Sequence, residues 1–196
     1  MKHLTINNIK DKCIVTYNNM MLLPLNKEHI ENLRNWRNDK TKTRFLRKID
    51  YITKEKQLLW FQKYREDETQ IAFTIYENEK LKRMVGSVSL YNINLNKGTS
   101  EVGRIQIGDS EAHGIGLGKN SLLGAIKVAF QCLEIQKIEA SIHKDNIASH
   151  KNSMKIGFRI VGEIDSAVGG KEDLVEITEE DAVRENEYYH LIRIEV

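Results

Sequence analysis

Apolar residues first cluster at positions 20–25, MMLLPL, which reads as a short strand ending at Pro24. The period then changes. Ile30, Leu33 and Trp36 recur at helical spacing, so residues 26–36 predict a helix with Asn26 as its cap. Residues 53–64 predict a second helix, with Thr53 as N-cap and Leu58, Phe61 and Tyr64 along one side. Three strands follow at 71–76, 84–93 and 101–107, separated by the polar turns ENEKLKR and NLNKGT. Connections that short predict antiparallel neighbours. A helix returns at 117–133, where Leu122, Ile126, Ala129 and Leu133 form a core-facing stripe. Ile138, Ala140 and Ile142 alternate, which predicts a half-buried strand at 137–142. Residues 146–156 read as a short helix capped by Asn146 and closed by Gly157. A strand at 158–164, a long polar loop at 165–186 and a closing strand at 188–196 complete the chain. The order predicts an α/β (α+β) fold: a mixed, mostly antiparallel sheet of about six to seven strands flanked by helices.

Composition adds boundaries. The chain has 196 residues, enough for one domain spanning 1–196 with a real core. Thirty Lys and Arg stand against 28 Asp and Glu, a net charge of +2, which gives no reason to expect nucleic acid. No stretch approaches the roughly 20 apolar residues of a membrane span. The first residues, MKHLTINNIKDKC, lack the apolar run of a secretory signal. Cys13 and Cys132 are far apart and share no CxxC spacing, which suggests reduced thiols and a cytoplasmic protein. The six histidines show no paired ligand spacing, so no metal is expected.

The stretch EAHGIGLGKN, residues 111–120, carries glycines at 114, 116 and 118 between a strand and a helix. It is not a P-loop. That motif needs glycine at 113 and a hydroxyl at 120, where His113 and Asn120 stand. It is not a dinucleotide fingerprint either, since the third glycine would fall on Lys119. Yet the physics of anion binding is present. N–H groups at a helix start lack helical partners and carry the positive end of the dipole. Bare glycines would let a diphosphate come close. The other reading is a tight turn in which glycine serves geometry alone.

HGIGLG resembles the pyrophosphate-binding signature Q/R-x-x-G-x-G/A of the GCN5-related N-acetyltransferases. Gly116 and Gly118 match it, and His113 stands where that family usually has Gln or Arg. NIASHKNSMKIGF is similar to the family's downstream pattern, with Asn146, Ala148, Ser149, Lys155, Gly157 and Phe158 in the family's spacing. SEVGRIQIGD resembles its central strand, with Glu101 at a commonly acidic position. The likeness covers roughly residues 20–164.

The resemblance implies acetyl-CoA as donor and no metal. Its pyrophosphate would lie on the loop from His113 and Gly114 through Ile115, Gly116, Leu117 and Gly118 to Lys119. Its pantetheine arm would run along Ile105, Gln106 and Ile107, as an added strand would. Asn146, Ser149 and Asn152 would contact the arm from the next helix. Glu101 is the candidate general base, acting through water; the alternative is an ion pair on a strand face. Ser153 falls where many relatives place a Tyr that protonates the leaving thiolate. Ser153 with a water would serve, or Tyr91 or His150 would stand in, although His150 reads more simply as a surface residue.

The acceptor is less legible. LRNWRND with Gln57 and Trp60 resembles N-acetyltransferases of bacterial nucleotide-linked amino sugars. This makes Trp36, Arg37, Asn38, Trp60 and Tyr91 candidate acceptor contacts, Arg for phosphate and aromatics for a base or sugar face. Both Trp residues equally suit core packing. The expected partner is a small-molecule amine, with a nucleotide sugar leading and protein N-termini or polyamines behind it. The acidic run EDLVEITEED would suit a polyamine or be simple solvated surface. A monomer or homodimer is expected, and a non-catalytic acetyl-CoA sensor is the alternative of another class, favoured by Ser153.

Overall fold

The structure is a computed structural model and describes residues 4–196. Its elements, in chain order, are α1 (Ile6–Lys12), β1 (Ile14–Tyr17), β2 (Met20–Pro24), α2 (Ile30–Asn38), α3 (Lys54–Glu66), β3 (Ile71–Glu77), β4 (Arg83–Asn94) and β5 (Thr99–Ile107). Then come α4 (Leu117–Leu133), β6 (Lys137–His143), α5 (Ile147–Ile156), β7 (Arg159–Asp165), β8 (Lys171–Ile177), α6 (Glu179–Glu185) and β9 (Arg193–Glu195). The strands form one sheet in the order β7-β8-β6-β5-β4-β3-β2-β1-β9. Every pairing is antiparallel except β5 with β6.

The mixed, mostly antiparallel class is as expected, but the strand count is nine. The additional strands are β1 and β8. β1 has only four residues, IVTY, too few to show a period. β8 lies inside the segment expected to be a loop. Its sequence KEDLVEI is rich in charge, yet Asp173, Val175 and Ile177 alternate inward. β6 and β7 flank it on both sides, so tertiary pairing makes the strand. The rest of that segment forms α6, opened by a Thr178–Asp181 capping box. The expected closing strand is a 3-10 turn at Tyr189–Leu191 followed by the short β9. At the other end, Thr5 caps α1, a helix too short for its pattern to stand out.

Two helix details also differ. α2 begins at Ile30, because Asn26 accepts from Glu28 N at 2.9 Å and makes a turn ahead of the helix. In α3, Thr53 caps as expected, accepting from Lys56 N at 3.2 Å. Gln57 and Tyr64 are the residues that α3 buries, and Leu58 is exposed.

α4 organises the interior. Thirteen of its 17 residues are buried, the mark of a central helix rather than an amphipathic surface one. It packs on Val15, Met20, Leu22, Phe73, Ile75, Val88 and Val102 in one continuous cluster. Gly124 lets the helix sit low on the sheet: a Cβ there would stand 3.1 Å from Leu22 Cδ1 and 3.2 Å from Val15 Cγ1. Lys127 is buried too, and its Nζ donates to the carbonyls of Tyr189 (3.1 Å) and Ile192 (2.9 Å), which ties down the chain end. The opposite face of the sheet carries α2 and α3 over a small cluster of Leu25, Ile30, Tyr64 and Ala72. Ala72 lies between the α4-facing Ile71 and Phe73, so strand alternation puts it on this second face.

Leu123 is fully buried at the α4–sheet contact. Leu123→Ala is expected to cost about 2–5 kcal/mol and lower the melting temperature by roughly 5–15 °C. A shift under about one degree by calorimetry would show that α4 does not anchor the core.

Candidate functional site

The site begins where two strands part. β5 and β6 pair only over Thr99–Lys137, Ser100–Ile138 and Glu101–Glu139. Beyond Glu101, β5 stays bonded to β4 alone, and β6 to β8 alone. The facing edges of residues 102–107 and 140–143 therefore have no ladder between them. A groove lined by unpaired backbone opens there, a template for an extended ligand. Ile105, Gln106 and Ile107 lie on its β5 edge.

The glycine loop closes one end of this groove. After β5, a 3-10 turn at Ser110–Ala112, capped by Asp109, leads to His113. His113 Nε2 lies 3.0 Å from the Ile107 carbonyl and pins the loop to the strand end. Gly114 and Gly116 have φ of +80° and +85°, the left-handed region that glycine occupies at little cost. Gly116 caps α4, and no side chain makes a capping hydrogen bond there. A Cβ at Gly114 would meet no atom within 4 Å, and one at Gly116 only Asn120 Nδ2 at 3.9 Å. The glycines are thus required by backbone angle, and the space beside Gly114 and Gly116 is open. Anionic oxygens fit such a cradle. A Cβ on Gly118 would lie 3.4 Å from Asn152 Nδ2, which places α5 beside the loop.

On α5, Asn146 accepts from Ser149 N at 3.2 Å, so its side-chain carbonyl oxygen caps the helix. Ser153 is buried beneath the helix. Gly157, with φ of +115°, ends α5 against the Asp181 carbonyl, 2.9 Å from where a Cβ would be. His150 is half-buried rather than on the surface, with Nε2 3.5 Å from Asp173 Oδ2 of β8.

On the other sheet face, Tyr91, Ser89 and Ser87 of β4 stand opposite Glu101, Gly103 and Gln106 of β5. The count is uneven: two residues on β4 span three on β5, a β-bulge at Arg104, whose φ is +51°. The bulge brings Arg104 and Gln106 onto this face, while Val102, Ile105 and Ile107 pack toward α4. Glu101 makes no ion pair among the described residues; its Oε1 accepts from Asn92 Nδ2 at 2.6 Å. Tyr91 is pushed up to about 12, chiefly by burial and then by the Glu101 charge, so its hydroxyl stays protonated at any working pH.

Beside this face, under α2, α3 and residues 46–52, lies a cleft of about 580 Å³. Leu33, Ile52 and Trp60 form its apolar wall, with Trp60 stacked on Tyr64 at 5.6 Å. Ser87, Ser89 and Gln106 form its floor. Its charged residues are Arg37, Arg47 and Arg104, and it has no Asp or Glu. Arg37 Nη2 donates to the Arg47 carbonyl at 2.6 Å, while its Nη1 is buried without a partner. Burial, then the Arg104 charge, lowers the Arg37 pKa. A larger hollow of about 660 Å³, near Asn96, Gly98 and Gln136, holds none of the candidate residues.

Of the expected acceptor contacts, the structure brings Arg37 and Trp60 into the cleft. Trp36 lies outside it, its indole flat on Gly108, where a Cβ would sit 2.0 Å from the ring. Its carbonyl accepts from Gln106 Nε2 at 3.1 Å. Asn38 holds the cleft wall, exchanging two 2.9 Å hydrogen bonds with the backbone of Ile52. Tyr91 stands behind Arg104, whose guanidinium lies 4.3 Å over its ring. The wall itself is fastened at two further points: Lys42 Nζ donates to the Gly108 carbonyl at 2.7 Å, and Phe45 packs on His143 at 5.2 Å. Sequence reasoning missed Arg104, Ser87 and Ser89. One signal existed for the first. Val102, Ile105 and Ile107 break strict alternation by one residue, which is how a bulge is written in sequence.

Residues 19–159 match the family model described as an acetyltransferase (GNAT) domain. No curated protein sequence matches significantly. Solved structures share the fold. A spermidine N-acetyltransferase from Vibrio cholerae, in complex with CoA and spermine, aligns with a TM-score of 0.75 at 18% identity, over 84% of this chain and 98% of that one. A GCN5-related N-acetyltransferase from Brucella melitensis aligns at 0.72 and 17% identity, over 91% and 84%. A domain from Methanocaldococcus jannaschii aligns at 0.68 and 23%, over 81% and 97%.

A β-branched residue at the φ of Gly116 is disfavoured by about 1–2 kcal/mol, enough to turn the loop away from its open conformation. Gly116→Val is expected to weaken acetyl-CoA binding at least about tenfold while the protein stays folded, its melting temperature lowered by roughly 2–8 °C. Wild-type affinity in calorimetric titration would dismiss the loop as the donor site.

Proposed function

The chain belongs to the GNAT acetyltransferase family, and we propose that within it the protein acetylates the amine of a nucleotide-linked amino sugar. The observation that carries the acceptor class is the cleft, which presents three arginines and no carboxylate. A polyamine would bring two or more positive charges against these cations without compensation. The Vibrio cholerae relative is a spermidine N-acetyltransferase, but the likeness to it is one of fold. The acidic run is no help to a polyamine, since Asp173, Glu176 and Asp181 already face Lys144, Lys137 and Arg159. An anionic acceptor with an apolar or aromatic part suits arginines beside Trp60.

Acetyl-CoA supplies the thioester: the new N–C bond forms as the C–S bond breaks. The chain's part is to hold, orient and move protons. The N–H groups from Ile115 to Lys119 receive the diphosphate, and the free β5 edge at Ile105–Ile107 receives the arm. Holding donor and amine together supplies much of the rate. A β5 backbone N–H can stabilise the developing oxyanion. Glu101 takes the amine proton through water. It lies on the same strand face as Arg104, at the point where β5 leaves β6, and its hydrogen bond to Asn92 orients it. Tyr91 beside it is a neutral donor, and the departing thiolate, whose conjugate acid has a pKa of about 8.5, needs only weak assistance. Buried free thiols at Cys13 and Cys132 suit a cytoplasmic enzyme, which we take to act as a single domain.

The test is thiol release from acetyl-CoA with a UDP-linked 4-amino sugar, spermidine, or a peptide with a free N-terminal Ala or Ser. Turnover of the amino sugar is expected; turnover of spermidine or peptide alone would overturn the acceptor assignment. Glu101→Gln is expected to lower kcat by about 10²-fold or more with acetyl-CoA affinity intact. An unchanged kcat would remove Glu101 from the reaction.

A further inference from the structure

Of the three cleft arginines, Arg104 is the one the fold goes to some length to place. It is one of five described non-glycine residues with positive φ, and it sits at the bulge of the strand that borders both groove and cleft. A non-glycine residue held in that region signals a position over-determined by its surroundings. Arg104 is held twice: its guanidinium lies 4.3 Å over the Tyr91 ring, and Nη1 donates to Gln70 Oε1 at 2.9 Å. Both holds leave it charged, and neither is a counter-ion. It makes no salt bridge with any described residue.

Arg37 reaches the same cleft from α2. One arm of its fork is fixed on the Arg47 carbonyl, and the other, Nη1, is buried with nothing to donate to. Buried donors almost always have partners, so Nη1 is an unmet donor. Both guanidiniums line the one cleft, the Arg104 charge disfavours that of Arg37, and Leu33, Ile52 and Trp60 keep the surroundings apolar. Two cations lining one cleft, an unused donor and no carboxylate make a receptor for an oxyanion with more than one charge.

We infer that Arg104 and Arg37 form a paired-guanidinium site for a phosphoryl group of the acceptor, and that Arg104 is the residue that selects acceptors carrying one. The inference deepens the proposed function and rests on it for its use in acetyl transfer, but the site is testable without turnover. A carboxylate would satisfy a single fork. A pyrophosphate spans both and neutralises them together. Trp60, on the facing wall, then lies within reach of whatever the phosphoryl group carries.

The probe is inorganic pyrophosphate, titrated into protein already saturated with CoA so that the glycine loop is occupied. Inorganic phosphate and acetate are the comparison arms. Wild type is expected to bind pyrophosphate more tightly than phosphate and much more tightly than acetate. Arg104→Gln and Arg37→Gln are each expected to weaken pyrophosphate binding about tenfold or more, with CoA affinity unchanged. Arg104→Lys keeps the charge and loses the fork; it is expected to weaken binding by a smaller factor, and it carries the test should the glutamine variant fail to fold. Absence of pyrophosphate binding to the CoA-loaded protein, indifference to these substitutions, or acetate binding as tightly as pyrophosphate would each overturn the inference. If pyrophosphate binds through Arg104 while the UDP-linked amino sugar is not acetylated, the site stands and the acceptor reading falls.

Discussion

Three residue pairs hold β5 to β6, and the molecule's chemistry depends on there being no fourth. A parallel pair that ran on to Ile107 would satisfy every backbone group and leave no groove. Because the strands part after Glu101, both edges face an opening while remaining rigid, each bonded to another strand behind it. Parting also separates the strand ends enough for the glycine loop to turn and start α4 between them. The general-base candidate stands at the apex of the parting, the proposed donor cradle at its mouth, and the proposed acceptor cleft on one face. A single break in pairing therefore sets three positions at once.

The break is tolerated because α4 is so well buried. It contacts β1 to β5 on one side of the parting and α5 and α6 on the other, and its core cluster includes Ile138, Ile142, Val175 and Ile177, so the short β5–β6 ladder is not the sole link between the two parts of the sheet. The same burial fixes the N-terminus of α4 in space, which a site built from backbone N–H groups requires. No side chain need be added to such a cradle; it needs only an absence of side chains at Gly114 and Gly116 and a helix that does not move.

The periodic elements were readable because each carries its own pattern. α4 carries an apolar run long enough for a buried helix, β3 to β5 show short polar turns between apolar runs, and α5 announces both ends with Asn146 and Gly157. The elements that hid were those specified by neighbours. β8 carries acidic residues that its partners Lys144 and Arg159 neutralise only in the folded chain. For the candidate site, the donor half was legible as a glycine spacing before a helix. The acceptor half was not, because aromatic and cationic residues at helical spacing do not say which way they face. Trp36 and Trp60 look alike in sequence; one is spent against Gly108 and the other looks into the cleft. Arg104 hid for a third reason: its direction is set by one extra residue in a strand.

The outer wall of the acceptor cleft, residues 39–52, is tied at Gly108, where β5 ends, and at His143, where β6 ends. It is a tie-beam between two diverging walls. Anything wedged into the gap loads that beam, and anything seated beneath the beam resists the wedge or helps it. On the proposed reading the donor and the acceptor would be mechanically in series, and by reciprocity whatever one does to the other's affinity is returned in equal measure.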